Sequence, residues 1–352
     1  MAGGIGSRFW PISRTSYPKQ FIDILGTGKT LIQQTYERFL KICPQENIYI
    51  VTNETYTDLV KSQLQGIGEQ QILTEPVMRN TAPCVAYGCF KIESINPNAA
   101  IVVAPSDHLI SDEDAFVSTI EKSLKAATEN ECLITLGIKP SRPDTGYGYI
   151  QFTDQAINSE FYKVKTFTEK PSLEIAKTFI QSGDFLWNAG IFVWSAKAIV
   201  NAFEQHLPDM NEIFADARSV YNTADEKTHI HTAYQQCINI SIDYGIMEKA
   251  SNVYVLPSEF GWSDLGTWAS VYQLAEKDYV GNAVIPSERV IMYDSSNCMV
   301  NVPEGKLVVL QGLHDYIVVE SNNILLVCPR DQEQNVKQVV ADVKQKFGTK
   351  YI

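Results

Sequence analysis

The first half of the chain alternates short β-branched, apolar runs with longer stretches in which apolar residues recur at helical spacing. We predict strands at 47–52, 99–104 and 132–138, and helices at 32–40, 54–65, 81–94 and 114–128. The run 99–104 (AAIVVA) is apolar throughout, which is typical of a strand buried on both faces of a parallel sheet. This alternation predicts an α/β sheet with right-handed crossovers and helices on both faces.

The pattern changes near residue 282. Short apolar runs, separated by turn-forming clusters, occupy 289–293, 306–310, 316–319 and 324–327. They predict a small β-rich module, either a meander or a short solenoid, followed by a helix over 334–347. We therefore place an α/β domain at 1–278 and a β-rich module with a terminal helix at 279–352.

Composition and charge narrow the class of protein. The 352 residues include 29 Lys and Arg against 41 Asp and Glu, which gives a net charge of −12 and no general attraction for nucleic acid. No apolar stretch reaches the ~18 residues that a membrane span needs. No signal peptide is recognisable, and the seven cysteines are scattered without disulfide or zinc spacing. We expect a soluble cytoplasmic protein.

The N-terminal segment combines glycines with cations. Its glycines are Gly3, Gly4 and Gly6, and the cations of residues 1–22 are Arg8, Arg14 and Lys19, with no acidic residue among them. The segment does not match the dinucleotide fingerprint, because position 9 is Phe, and the nearby run 26–30 (GTGKT) does not match the P-loop, because position 23 is Asp. Glycines let the backbone approach a bound ligand closely, and the isolated cations that follow them can pair with phosphates, so the segment suits a polyphosphate. The alternative is a mobile glycine-rich terminus with solvated cations.

A second candidate group follows the buried run 99–104. Asp107 and His108 come where ligands of α/β sheets bind, at the carboxyl end of a strand. A carboxylate there suits Mg²⁺, which takes one or two carboxylates together with phosphate oxygens. The alternative for Asp107 is a helix cap or turn residue. His108 is either a general base or, more often for a lone histidine, structural.

Further short motifs complete a recognisable set. They are 75–83 (EPVMRNTAP), 146–149 (GYGY), 167–171 (FTEKP), 187–190 (WNAG), 241–244 (SIDY) and 262–266 (WSDLG). Together with 2–11 (AGGIGSRFWP) and 18–21 (PKQF), they resemble the sugar-1-phosphate nucleotidyltransferases, and within that family the mannose-1-phosphate guanylyltransferases. The resemblance covers residues 1 to about 275.

The resemblance implies a mostly parallel, Rossmann-like nucleotide-diphospho-sugar transferase sheet and a C-terminal module similar to a left-handed β-helix. It implies transfer of GMP from GTP to mannose 1-phosphate with Mg²⁺, and it raises the expectation of a homodimer. The family has a strand before the glycine-rich loop, so we expect a segment upstream of Met1. The C-terminal module is too short for the isomerase domain of longer relatives, so we expect transferase activity alone.

The same resemblance implies a role for each site residue. Arg8 and Lys19 hold the leaving pyrophosphate, Asp107 and Asp264 hold Mg²⁺, and Lys170 anchors the sugar phosphate. Glu169 and Asn188 bind sugar hydroxyls, and Gly148 allows close backbone approach. The nucleotide-binding residues are Gly3, Gly4, Gly6, Glu75, Asn80 and Ala82. The role of Asp243 is open.

Glu75 has a chemical argument of its own. Guanine presents the N1–H and N2–H₂ donors side by side, and a carboxylate can accept both. A uracil or thymine site more naturally uses an amide. The alternative is a solvated glutamate at a strand end. Two rival functions also remain: a nucleotidyltransferase for another sugar 1-phosphate, and a catalytically silent sugar-nucleotide-binding regulator.

Overall fold

The computed structural model describes residues 1–285 and 289–352. The strands are β1 (Ile50–Asn53), β2 (Ile72–Glu75), β3 (Ala100–Val103), β4 (Leu109–Ile110), β5 (Leu133–Ile138), β6 (Gly148–Ile157), β7 (Phe161–Glu169), β8 (Phe185–Ser195), β9 (Val253–Ser258), β10 (Trp262–Ser263), β11 (Ala283–Ile285), β12 (Val290–Tyr293), β13 (Met299–Asn301), β14 (Val308–Gln311), β15 (Tyr316–Ser321) and β16 (Ile324–Pro329). The helices are α1 (Leu31–Leu40), α2 (Thr57–Gln63), α3 (Thr81–Ile95), α4 (Glu113–Asn130), α5 (Leu173–Ser182), α6 (Ala196–His206), α7 (Pro208–Asp216), α8 (Glu226–Gln236), α9 (Trp268–Leu274) and α10 (Val336–Phe347).

The chain divides into two compact units that are interleaved along the sequence. The first unit contains residues 1–3, 36–105 and 110–262, and the second contains 4–35, 106–109 and 263–352. The second unit therefore combines the glycine-rich segment with the C-terminal module. The boundary at 278/279 stays a prediction about sequence modules.

The first unit is built on a six-stranded sheet. Its strand order is β3-β8-β5-β9-β7-β6. Strands β3, β5, β9 and β6 run in one direction, and β7 and β8 run against them, as their antiparallel pairings show. A separate parallel pair joins β1 to β2. The predicted α/β fold is confirmed, and the strands at 50–53, 100–103 and 133–138 overlap the predicted runs. The prediction that 99–104 is buried on both faces of a parallel sheet is wrong: β3 is the edge strand of this sheet, pairs antiparallel with β8, and buries only Ile101.

The core of the first unit explains why its strands read as continuous apolar runs. Leu133, Ile134 and Leu136 of β5 are fully buried, because β5 lies between two neighbouring strands and is covered on its faces. Helix α3 packs into one hydrophobic cluster through Phe90, and α4 packs into another through Phe116. Burial of such apolar side chains is the main source of stability for this unit.

The second unit contains the predicted β-rich module. Strands β11, β13 and β15 pair in parallel, and so do β12 and β14, whereas β16 closes antiparallel on β15. Successive parallel pairing identifies a short solenoid rather than a meander. Helix α10 confirms the predicted terminal helix, and the left-handed sense of the solenoid stays a prediction.

The glycine-rich segment shares its core with this module. Phe9 packs edge-on against Trp268, with 5.1 Å between the ring centroids, and the indole of Trp10 donates to the Tyr351 carbonyl at 2.7 Å. All three rings belong to a hydrophobic cluster that includes Val336 of α10. The loop is therefore anchored by aromatic packing. Among the described residues, no helix is long and apolar enough to span a membrane.

Candidate active site

The glycine-rich loop holds Lys19 through a close backbone contact. Gly6 has φ +70°, and a Cβ built there would lie 2.5 Å from Lys19 Cβ. The Lys19 amide donates to the Ile5 carbonyl at 3.2 Å. Position 6 therefore requires glycine twice, for its left-handed backbone and for the space that Lys19 occupies.

The Lys19 ammonium contacts the side chain of Asp107 and the main chain of Asp264 within the second unit. Its Nζ lies 3.0 Å from Asp107 Oδ2 and donates to the Asp264 carbonyl oxygen. Lys19 is only 4% exposed. Burial alone would raise the pKa of the Asp107 carboxyl, but the charges of Lys19 and His108 outweigh it, so that the pKa lies below its usual value. Asp107 is therefore ionised at neutral pH.

Arg8 is oriented by the C-terminal module. Its Nε donates to Gln334 Oε1 at 3.0 Å. A guanidinium has five N–H donors in a fixed plane, so one bond at Nε sets the direction of its terminal amino groups.

Gly4, unlike Gly6, is exposed, and nothing lies within 4 Å of a Cβ placed there.

The donor chemistry at Asp107 and Asp264 fits a hard cation. Asp264 Oδ1 accepts from the Gly266 amide at 2.9 Å, which fixes this carboxylate in the turn after β10. Two carboxylates are the set that Mg²⁺ uses when substrate phosphates and water supply the remaining ligands. Within residues 1–285 and 289–352, no cluster of three or more His, Cys, Asp or Glu side chains forms a complete protein cage.

Glu75 ends β2 as a buried carboxylate in the first unit. It is 5% exposed, and its Oε1 accepts from the Tyr234 hydroxyl at 3.0 Å. Its Oε2 lies 3.6 Å from a Cβ built on Gly3. Burial raises the pKa of Glu75 to about 7, although the Tyr234 hydrogen bond and the Met1 amino group oppose this. One oxygen is thus held, and the other faces the start of the glycine-rich segment.

Asn80 and Ala82 begin helix α3. Asn80 has φ +66°, and its Oδ1 accepts from the Thr81 amide at 2.9 Å as the helix N-cap. Ala82 is fully buried, and its amide donates to the Ile240 carbonyl. The Ala82 amide is therefore used inside the protein, and a nucleotide contact at this residue stays a prediction.

The residues predicted to bind the sugar lie at the start of β6, at and just after the end of β7, and within β8. Lys170 has φ +46°, and its Nζ lies 2.5 Å from Glu169 Oε1. A Cβ on Gly148 would come within 2.6 Å of Glu169 Oε2, which explains the glycine. Because Gly148 and Glu169 are paired across the β6–β7 hairpin, these three residues form one group.

Asn188 and Asp243 extend this group. Asn188 Nδ2 donates to Asp243 Oδ1 at 2.8 Å, and Asn188 Oδ1 accepts from Thr135 and from the Gly190 amide. Burial raises the pKa of Asp243 to about 6, against the effect of the Asn188 hydrogen bond. Asp243 begins a π-helical turn, a feature frequent at functional sites. The Asn188 amide is thus oriented by three polar partners.

Sequence reasoning did not identify Tyr234. It lies on α8, 159 residues after Glu75, and a single aromatic residue on an apolar helix face reads as core. Only the fold shows that its hydroxyl reaches a buried carboxylate. His108 Nε2 lies 3.9 Å from Asp107 Oδ1. Whether His108 acts as a general base or has a structural role stays open.

Comparison with known proteins assigns the family. The nucleotidyl transferase model matches residues 1–280, and the MannoseP isomerase/GMP-like beta-helix domain model matches 288–343. The chain belongs to the nucleotidyl transferase family, which confirms the resemblance and the fold class drawn from the sequence.

Individual relatives narrow the class further. The chain is 36% identical over 349 residues to alginate biosynthesis protein AlgA of Pseudomonas aeruginosa, covering 97% of this chain and 71% of that protein. It is 35% identical over 352 residues to mannose-1-phosphate guanylyltransferase of Salmonella montevideo, covering 98% and 73%. A crystal structure described as mannose-1-phosphate geranyltransferase from Thermus thermophilus superposes with a TM-score of 0.87 at 31% identity, covering 98% of both chains. The protein is an enzyme of sugar-1-phosphate nucleotidyl transfer.

Proposed function

We propose that the enzyme transfers GMP from GTP to α-D-mannose 1-phosphate, forming GDP-mannose and pyrophosphate. The observation that carries the choice of GTP is the buried carboxylate of Glu75 beside Gly3. A desolvated carboxylate matches the adjacent N1–H and N2–H₂ donors of guanine, and charge-assisted hydrogen bonds of this kind are short and strong. The names of the relatives support mannose 1-phosphate as the acceptor.

The acceptor phosphate is the nucleophile. It is already anionic, so its in-line attack on the α-phosphorus of GTP requires no general base, and pyrophosphate leaves as the new P–O bond forms. Catalysis then rests on positioning and on charge neutralisation. Lys19 and Arg8 bind the leaving pyrophosphate: Lys19 as a fixed point charge, Arg8 through the planar donors that Gln334 orients.

Asp107 and Asp264 would hold Mg²⁺. When bound, the ion supplies positive charge against the phosphate oxygens of the nucleotide. Lys19 pairs with Asp107 while no cation is bound, and its charge helps to keep the Asp107 carboxyl ionised. The Asp107 carboxylate therefore contributes negative charge that is already formed, and the Gly266 amide orients the carboxylate of Asp264.

The group formed by Gly148, Glu169, Lys170 and Asn188 binds the acceptor substrate, mannose 1-phosphate. Lys170 pairs with the sugar phosphate, and Glu169 and Asn188 accept from and donate to the sugar hydroxyls. The Lys170 side chain is more than half exposed, so its ammonium can give up the ion pair with Glu169 and pair with a phosphate oxygen instead. Asp243 orients the Asn188 amide for this contact.

A substrate panel tests the proposal. Pyrophosphate release is measured with GTP, ATP, UTP and dTTP against mannose, glucose and galactose 1-phosphates, with Mg²⁺ and again after its removal by EDTA. We expect the highest kcat/KM for GTP with mannose 1-phosphate, and a loss of turnover with EDTA that added Mg²⁺ restores. A preference for another sugar or base would overturn the specificity. Absence of turnover with every pair would favour a sugar-nucleotide-binding regulator.

A further inference from the structure

The hydrogen bond between Tyr234 and Glu75 is buried at both ends. Tyr234 is fully buried, Glu75 is 5% exposed, and the hydroxyl donates to Oε1 at 3.0 Å. The Tyr234 ring packs edge-on against Phe214, with 6.0 Å between centroids. The hydroxyl is therefore held by a packed ring and has little freedom to move to another partner.

The groups that face Glu75 leave Tyr234 as its main side-chain donor. Cys84 of α3 is electrostatically coupled to Glu75, and burial raises the pKa of this thiol well above its usual value, so it is neutral. The amino group of Met1 is the cationic neighbour that lowers the pKa of Glu75. Burial opposes ionisation, and the Tyr234 hydroxyl, whose own pKa burial raises, remains a donor throughout the physiological range.

Ionisation of Glu75 decides which base it can read. The carboxylate presents two acceptors and matches the two adjacent donors of guanine. The protonated acid presents one donor and one acceptor, which is the pattern of an amide and matches the acceptor and N3–H of uracil or thymine. A single proton at position 75 therefore separates a guanine site from a pyrimidine site.

We propose that Tyr234 is a positioning residue for base selection: its hydroxyl fixes Glu75 Oε1 as an acceptor and leaves Oε2 directed toward Gly3 for the guanine donors. This inference rests on the guanine-reading role proposed for Glu75. Tyr234 itself is enclosed in the core, so it acts through Glu75 and does not touch the nucleotide.

The test is the pH dependence of kcat/KM for GTP in Tyr234→Phe. Phe keeps the ring and its contact with Phe214 but removes the hydroxyl. Since kcat/KM reports ionisations of the free enzyme, its acidic limb follows Glu75. We expect this limb to move to higher pH by about one unit, with about tenfold less activity on the limb and recovery above it. GTP titrates identically with both proteins, so the difference belongs to the enzyme.

Tyr87→Phe is the matched control. Tyr87 also donates from a buried hydroxyl to a buried glutamate, Glu226, at 2.7 Å, in the same unit but outside the proposed nucleotide contacts. Removing this hydroxyl should lower thermal stability to a similar degree and leave the pH profile for GTP in place. A shift of the profile in both variants would show that Tyr234 acts through general packing, and would overturn the proposal.

Glu75→Gln separates the two levels of inference. If Glu75→Gln loses its preference for GTP while Tyr234→Phe keeps the wild-type profile, the positioning role is wrong and the guanine-reading role stands. If Glu75→Gln keeps the wild-type preference, the proposed guanine contact itself is wrong. The double variant should show no further shift beyond Glu75→Gln, because Tyr234 then has no carboxylate to hold.

Discussion

Asp107 and Glu75 are two carboxylates with partners at the same distance and opposite electrostatic behaviour. Asp107 lies 3.0 Å from the Lys19 ammonium, and Glu75 lies 3.0 Å from the Tyr234 hydroxyl. The pKa of Asp107 is lowered, whereas burial raises that of Glu75 to about 7. At equal partner distance, a charged partner favours ionisation of the partly exposed Asp107, whereas Glu75 is almost fully buried beside a neutral partner and holds its proton more tightly.

This difference suits the two proposed tasks. A carboxylate that binds a cation, as proposed for Asp107, has to be ionised at every working pH, and its lysine partner favours this. A group that reads a base gains from a dry environment, because hydrogen bonds there discriminate strongly against a wrong pattern of donors. The cost is a carboxyl that titrates close to neutrality.

The largest effect is expected at Asp107. Asp107→Asn keeps the size of the side chain but removes the charge that pairs with Lys19 and would bind Mg²⁺. We expect kcat to fall by about 10³-fold, as for loss of a main electrostatic contact to a transition state. Initial rates of pyrophosphate release measure this, with Asp209→Asn on the exposed surface of α7 as the control. Activity within tenfold of the wild type would contradict the assignment.

The second prediction concerns stability. Glu75 has a raised pKa in the folded state, so between about pH 4.5 and 7 the folded protein holds a proton that the unfolded chain has lost, and stability falls as pH rises. Glu75→Gln avoids this cost. We expect it to raise the free energy of unfolding by about 3 kcal/mol at pH 8 and to change it little at pH 4. Urea unfolding at both pH values measures the difference.

Glu226→Gln tests whether the charge of the partner decides the sign of the stability change seen for Glu75→Gln. Glu226 is buried like Glu75 but pairs with the Lys91 ammonium at 2.7 Å. Removing its charge leaves a buried lysine without its partner, so the same substitution should destabilise the protein at pH 8. Equal signs for the two variants would show that partner charge does not separate the two kinds of site.

The third prediction concerns the choice of base. Glu75→Gln places an NH₂ donor against the donors of guanine. We expect kcat/KM for GTP to fall by about 10²-fold, or about 2.7 kcal/mol, and the value for UTP or dTTP to fall less or to rise. Competition assays with paired nucleotides measure the ratio. A solvated glutamate without a role in recognition would give unchanged ratios.

The smallest effect is expected at Gly6. Gly6→Ala and Gly28→Ala both place a side chain at positive φ, so backbone strain should cost each about 1 kcal/mol of stability, to which Gly6→Ala adds the clash with Lys19. Only the new methyl at position 6 meets Lys19, since nothing lies within 4 Å of the one at position 28. We expect about tenfold lower kcat for Gly6→Ala alone. Equal activities would show that Lys19 does not depend on the loop backbone.

The sequence predicted β3 and β5 because their apolar runs are continuous, but it did not predict β8 and β9, which are also largely buried. It missed β6, β7 and β8 as strands, although the GYGY, FTEKP and WNAG motifs lie on them. The outer half of β6 is largely exposed and carries Thr, Asp and Gln, so it shows no two-residue alternation. Its pairing with β7 comes from the hairpin and not from a buried face.

The candidate site was predicted by motif, and its contacts were not. Residues close in sequence, such as Asn80 and Thr81, form contacts that local rules describe. The partners of Lys19 and Glu75 lie 245 and 159 residues away, so their hydrogen bonds exist only after tertiary folding. Burial also decides the ionisation of Glu75, and no local pattern reports burial of a polar residue.

The interleaved second unit has a consequence for synthesis on the ribosome. Its glycine-rich segment emerges early, but Arg8 meets Gln334 only 326 residues later. At elongation rates of about 5–20 residues per second, that interval lasts roughly 15 to 65 s. Throughout this interval Arg8 lacks its acceptor on Gln334, and for most of it the aromatic core around Trp268 is also incomplete. The nascent chain therefore completes the contacts of its glycine-rich segment late, when helix α10 has left the ribosome.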